Sequence, residues 1–140
     1  MTRPPSRTMP PRPVVLLVDG HADTLALYAL ALSATGFNVV PAKNGAEAFT
    51  RAWQTHPDII VTELPMPHYD GWKFLQDLKE SPRTRDIPVV AMSGHVQAPI
   101  REQTDQEGFA AFLTSPCRPD ELAEGLRQVL DRKTRPAAGR

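Results

Sequence analysis

Val14-Val15-Leu16-Leu17-Val18 is a run of five apolar residues, stopped by Asp19-Gly20. A strand with one wet face alternates apolar and polar side chains. An unbroken run of valine and leucine instead suits a strand covered on both faces, as in a parallel sheet. Reading outward, Leu25, Tyr28, Ala29 and Leu32 fall at helical spacing, and Gly36 ends that helix. Phe37–Val40 predicts a second strand. Asn44 and Glu47 stand three apart as a capping pair, and Ala48, Ala52 and Trp53 continue the buried face of a second helix. Ile59–Val61 predicts a third strand, and Trp72, Leu75 and Leu78 a third helix that closes near Pro82. Pro88–Met92 and Ala110–Thr114 predict the last two strands, with a polar helix in 96–107 between them, starting at or after Pro99. Pro119, with Leu122, Leu126 and Val129 behind it, opens a fifth helix. Strands alternating with helices of this length imply βαβ units and a parallel sheet with helices on both faces.

Composition bounds the rest. The chain has 140 residues, 41% of them hydrophobic, which suits one domain with a real core. No apolar run approaches the roughly 18 residues that span a bilayer, and the run ending at Val18 is too short for a signal-peptide core. A single cysteine, Cys117, excludes a disulfide framework and a multi-Cys zinc site. These features predict a soluble, cytoplasmic protein. The net charge is zero, but Arg3, Arg7 and Arg12 precede the domain and Arg132, Lys133, Arg135 and Arg140 follow it, so the central segment is acidic. An acidic body argues against nucleic acid as a partner. Five of the 15 prolines lie before Val14. The expected organisation is therefore a disordered Pro/Arg-rich tail over 1–13, one α/β domain over 14–130 and a basic disordered tail over 131–140.

Ligands of such sheets bind beyond the carboxyl ends of the strands. The residues there are Asp19-Gly20-His21 after the first strand, Glu63 after the third, Ser93-Gly94 after the fourth and Ser115-Pro116-Cys117 after the fifth. Met66-Pro67 followed by Asp70-Gly71, Asn44-Gly45, Pro57-Asp58-Ile59-Ile60-Val61 and Ile87-Pro88-Val89-Val90 stand in order around them. With these pieces, 14–130 resembles the receiver domains of two-component response regulators. The resemblance implies a flavodoxin-like, doubly wound five-stranded parallel sheet in the order 2-1-3-4-5 with five helices. It further implies a domain that takes a phosphoryl group from a histidine kinase onto an aspartate ending the third strand. In that family an acidic pair after the first strand holds Mg²⁺, and a Ser/Thr and a lysine bind the phosphoryl oxygens.

Matched residue by residue, Asp19 stands at the first acidic position, and Gly20 at the second. Glu63 stands at the phosphoacceptor position, Ser93 at the Ser/Thr switch position and Phe112 at the aromatic switch position. Ser115 replaces the lysine. Gly20 removes an oxygen ligand and a charge from a hard-cation site. Loss of the lysine removes a fixed cation from a reaction that depends on electrostatic stabilisation. Glu63 carries its carboxylate one methylene farther than aspartate, and small misplacements are expensive. The expectation is a stand-alone, atypical receiver that is no enzyme and signals by protein–protein contact without aspartate phosphorylation. Its partner is a histidine kinase or a downstream signalling protein, with no membrane role, and it acts as a monomer or weak dimer. Cofactors are expected to be none, or Mg²⁺ at most weakly, with Asp19 a weak ligand. A true phosphoacceptor regulator in a phosphorelay and a small-ligand-binding α/β module are the alternatives.

Glu63 reads either as a permanent imitation of the phosphorylated state or, the preferred reading, as a solvated relic. His21, His68, Asp19 and Glu63 are a conceivable transition-metal set, but without tight ligand spacing the histidines read as loop residues. Ser93-Gly94-His95 lacks the setting of a nucleophile elbow. Cys117 reads as a loop thiol, and Trp53 and Trp72 as inward-facing core residues with partial exposure.

Overall fold

The computed structural model describes residues 12–64, 71–94, 108–114 and 116–134. Val14–Val18 becomes β1, paired on one side with β2 (Asn38–Ala42) and on the other with β3 (Ile59–Glu63). Next to β3 lie β4 (Val89–Ser93) and then β5 (Ala111–Thr114), so the parallel sheet runs β2-β1-β3-β4-β5. Four helices are seen among the described residues: α1 (Ala22–Ala34), α2 (Gly45–Thr55), α3 (Gly71–Glu80) and α4 (Pro119–Thr134). The helix expected within 96–107 lies outside the described residues.

The period-two alternation of the central strands divides the core in two. Leu16, Val18, Ile60, Val89 and Ala91 face Ala48 and Ala52 of α2 and Phe74, Leu75 and Leu78 of α3. Val15, Leu17, Ile59, Val61 and Val90 face Tyr28 and Leu32 of α1 and Leu122, Leu126 and Val129 of α4. Burying each large aliphatic side chain contributes about 1.5–3 kcal/mol, so covering both faces is what holds the sheet. The edge strands are less covered, and β2 carries Pro41 opposite Leu17. A proline lacks the ladder N–H and is tolerated at an edge.

The helix ends follow local chemistry. Asn44 Oδ1 accepts the Glu47 N–H at 2.8 Å, and Glu47 Oε1 accepts the Lys43 N–H at 2.8 Å, which ties down the start of α2. Buried Thr84 donates its hydroxyl to the Leu78 carbonyl at 2.8 Å, serving the last turn of α3.

Four local expectations need correction. β2 starts after Phe37 and runs to Ala42, because Phe37 itself is buried in the α1/α4 half of the core beneath the Arg127 guanidinium. β3 continues past Val61 to Glu63, since its ladder with β4 extends to Glu63–Met92. Trp53 is 46% exposed rather than inward, with the Arg83 guanidinium 4.4 Å above its ring, whereas Trp72 is half-buried and meets Phe109 edge-on. Finally, α4 continues through 131–134, residues expected to be a disordered tail, because no glycine or proline follows Gly125 until Pro136.

Candidate functional site

The strand order reverses at β1: the chain leaves it for β2 on one side, then crosses to β3 on the other and continues outward to β4 and β5. The gap between the ends of β1 and β3 is therefore the point where loops diverge and leave room for a ligand. In register, Val18 pairs with Thr62, so the next residues on each strand, Asp19 and Glu63, emerge side by side. Asp19 is 8% exposed, its N–H donating to the Ala42 carbonyl at 3.0 Å and so fixing the end of β1. The chain then turns into α1, and Asp19 Oδ1 accepts the His21 N–H at 2.8 Å. This turn brings His21 Nδ1 to 3.2 Å from Asp19 Oδ1 and 3.9 Å from Glu63 Oε2.

Glu63 is anchored from the other side. Its Oε1 accepts the Gly20 N–H at 2.8 Å, leaving Oε2 toward the imidazole. Burial pushes the Glu63 pKa up, and the neighbouring Asp19 carboxylate adds to the rise. The Gly20 hydrogen bond and His21 act in the opposite direction. One carboxylate oxygen from each acid and one imidazole nitrogen all lie within 4.8 Å of one another.

Gly71 explains part of the neighbouring Asp70-Gly71 motif. Its N–H donates to the Leu64 carbonyl at 2.6 Å, and a Cβ there would stand 2.7 Å from the Glu63 carbonyl oxygen. Only glycine lets the start of α3 approach the end of β3 so closely. Ser93 ends β4 and is 2% exposed, and Phe112 on β5 is half-buried against the α2/α3 half of the core. Ser115 and His68, together with residues 65–67 and 69–70, lie outside the described residues. The structure thus brings together Asp19, Gly20, His21 and Glu63 from the sequence-derived set, with Ser93 and Phe112 on neighbouring strands.

Sequence reasoning missed a tie beside the site. The Tyr28 hydroxyl donates to the Cys117 carbonyl at 2.6 Å and accepts the Cys117 N–H at 3.3 Å. It pins α1 to the turn between β5 and α4. No local pattern announces a pair so distant in sequence. Burial pushes the Cys117 thiol pKa up, which keeps it a thiol rather than a nucleophilic thiolate. No helix among the described residues is long and apolar enough to cross a membrane.

A five-stranded parallel sheet with acids at the β1/β3 switch point defines a class, and comparison with known sequences agrees with it. Residues 15–127 match the response regulator receiver domain, and the chain belongs to that family. It is 34% identical over 120 residues to response regulator Rre1 of Synechocystis, covering 85% of this chain and 52% of that protein. The polar-differentiation response regulator DivK of Brucella ovis is 25% identical, with 83% of this chain and 94% of DivK covered. Among solved structures, a response regulator from Desulfuromonas acetoxidans superposes with a TM-score of 0.78 at 35% identity, covering 85% of this chain and 97% of that one. CheY4 of Vibrio cholerae shares the fold with a TM-score of 0.79 at 22% identity, over 84% of this chain and 98% of its own. The chain spans about half the length of Rre1. Receiver domains are generally non-catalytic signalling domains that act through kinases or other signalling proteins, and they typically bind Mg²⁺ at an acidic site.

Proposed function

We propose that this receiver domain signals by contact with a partner protein in the cytoplasm, without phosphoryl transfer to Glu63. The observation that carries the reading is the hydrogen bond from the Gly20 N–H to Glu63 Oε1 at 2.8 Å. At the position of the family's second acid, this chain has no side chain to supply an oxygen ligand, and it is the backbone N–H of that residue that faces the carboxylate. The carboxylate at the phosphoacceptor position is already engaged by it. Mg²⁺ demands near-octahedral oxygen coordination, and the groups gathered here are two carboxylates and an imidazole, so the residues do not fit that ion. Ser115 at the lysine position would further deprive an incoming phosphoryl group of its counter-charge. Contact with protein draws support from α1, where Leu27 and Leu30 are 57% and 73% exposed. Apolar side chains held in water on one helix are surface that a partner can cover.

Intact-mass spectrometry after incubation with acetyl phosphate and Mg²⁺ tests the reading. The chain is expected to gain no phosphoryl group, and neither is Glu63→Asp alone. The triple variant Gly20→Asp, Glu63→Asp, Ser115→Lys, which returns both acids and the cation, should be labelled. These positions act as one constellation, so their effects are far from additive. Labelling of the unaltered chain at Glu63 would overturn the proposal and favour a phosphoacceptor regulator.

A further inference from the structure

We infer that Asp19, His21 and Glu63 form a mixed nitrogen–oxygen site for a first-row divalent metal such as Zn²⁺ or Co²⁺. His21 is the residue that changes the chemistry. Its Nδ1 lies 3.2 Å from Asp19 Oδ1 and 3.9 Å from Glu63 Oε2. Ligand atoms sharing one ion, with bonds of about 2.0–2.2 Å, sit roughly 3–3.5 Å apart, so small rotations of the side chains suffice. An imidazole nitrogen between two carboxylates suits Zn²⁺, Co²⁺ or Ni²⁺ far better than Mg²⁺ or Ca²⁺.

The site is held in place before any ion arrives. The Gly20 N–H fixes Glu63 Oε1 and so leaves Oε2 as the ligand oxygen, while the His21 N–H fixes Asp19 Oδ1. Backbone donors of this kind orient ligating carboxylates. Glu63 also reaches the end of β1 because glutamate is one methylene longer than aspartate. The carboxylate side chains are 12% and 16% exposed and the imidazole is 78% exposed, so an ion can enter from the His21 side. An ion there would neutralise two neighbouring carboxylates that are only partly hydrated. Bound metal leaves coordination positions open on that side, where water or a partner's side chain would complete them. The inference is independent of whether Glu63 accepts a phosphoryl group.

The test is calorimetric titration of the full, tag-free chain, freed of metal by chelator, with Zn²⁺, Co²⁺ and Mg²⁺ in turn. One Zn²⁺ per chain is expected, bound at least about 100-fold more tightly than Mg²⁺, as the donor set requires. His21→Ala should lose tenfold or more in Zn²⁺ affinity. Co²⁺ added to the unaltered chain should broaden NMR signals centred on residues 19–21 and 63, a readout that needs no variant to fold. Zn²⁺ binding no tighter than Mg²⁺, Zn²⁺ affinity unchanged in His21→Ala, or broadening centred elsewhere would overturn the site.

Discussion

Glu63 is a carboxylate that the fold stabilises poorly as an anion. Its folded-state pKa is raised, chiefly by burial, so the folded protein holds this proton more tightly than the unfolded chain does. By linkage, the associated stability is fully present below the unfolded pKa of about 4.3 and is lost as pH rises through the higher folded value. Glu63→Gln keeps an acceptor for the Gly20 N–H but cannot ionise. In the absence of metal, that variant should melt at a higher temperature than the parent at pH 7, and the gap should close below about pH 4. Thermal unfolding across pH checks this, and an equal or lower melting temperature at pH 7 would contradict the burial argument. The identities of Asp19, Gly20 and Glu63 as strand-end residues were legible in the sequence, because each follows a run of β-rich apolar residues. The engagement of Glu63 by a backbone N–H was not, since it depends on the β1/β3 register and on a donor that every non-proline residue possesses. For the same reason His21 read as an ordinary loop histidine. Its nearness to Glu63 arises from the turn that Asp19 caps.

At the level of elements, α1 is joined to the β5–α4 turn by the paired hydrogen bonds of Tyr28 with Cys117. Tyr28→Phe retains the ring in the core but leaves the Cys117 carbonyl and N–H without that partner. Losing a buried hydrogen bond of this kind should cost about 1–3 kcal/mol. Urea unfolding measures the cost, and a change below about 0.5 kcal/mol would show that solvent replaces the hydroxyl. The elements themselves were largely visible from sequence wherever a cap or a periodic apolar stripe exists. The Asn44–Glu47 pair and Pro119 marked helix starts because their chemistry is local. Trp53 misled because it follows Ala52 directly, and one residue turns about 100° around a helix. The Arg83 guanidinium then provides the ring with a surface partner from another segment. The end of α4 was missed for a different reason. Asp131, Arg132 and Lys133 continue a helix as readily as they form a solvated tail, and only the absence of a stop residue separates the two.

For the molecule as a whole, the sheet makes two half-cores interdependent. Leu16 and Leu17 are adjacent, each at most 2% exposed, and face opposite halves. Leu16→Ala and Leu17→Ala should each lower stability by about 2–5 kcal/mol. In both variants, tryptophan fluorescence and far-ultraviolet circular dichroism should report one coincident urea transition. Trp53 and Trp72 belong to α2 and α3 and sense one side only, while dichroism senses every helix. Separated transitions in Leu17→Ala would mean that the α1/α4 half unfolds on its own, contrary to two-state behaviour.

The outer margin of β2 is poorly suited to growth of the sheet. Asn38 donates to the Pro13 carbonyl and Ala42 accepts from the Asp19 N–H, so both face β1, and alternation turns Val39 and Pro41 outward. Of those two, Val39 alone offers a donor, because proline has none. A foreign strand laid along this margin would find one N–H where a ladder needs a repeated series, so templated stacking of chains through β2 is discouraged. Association by strand addition is thereby discouraged at that margin, whereas the exposed Leu27 and Leu30 lie on a helix, where no strand can be added.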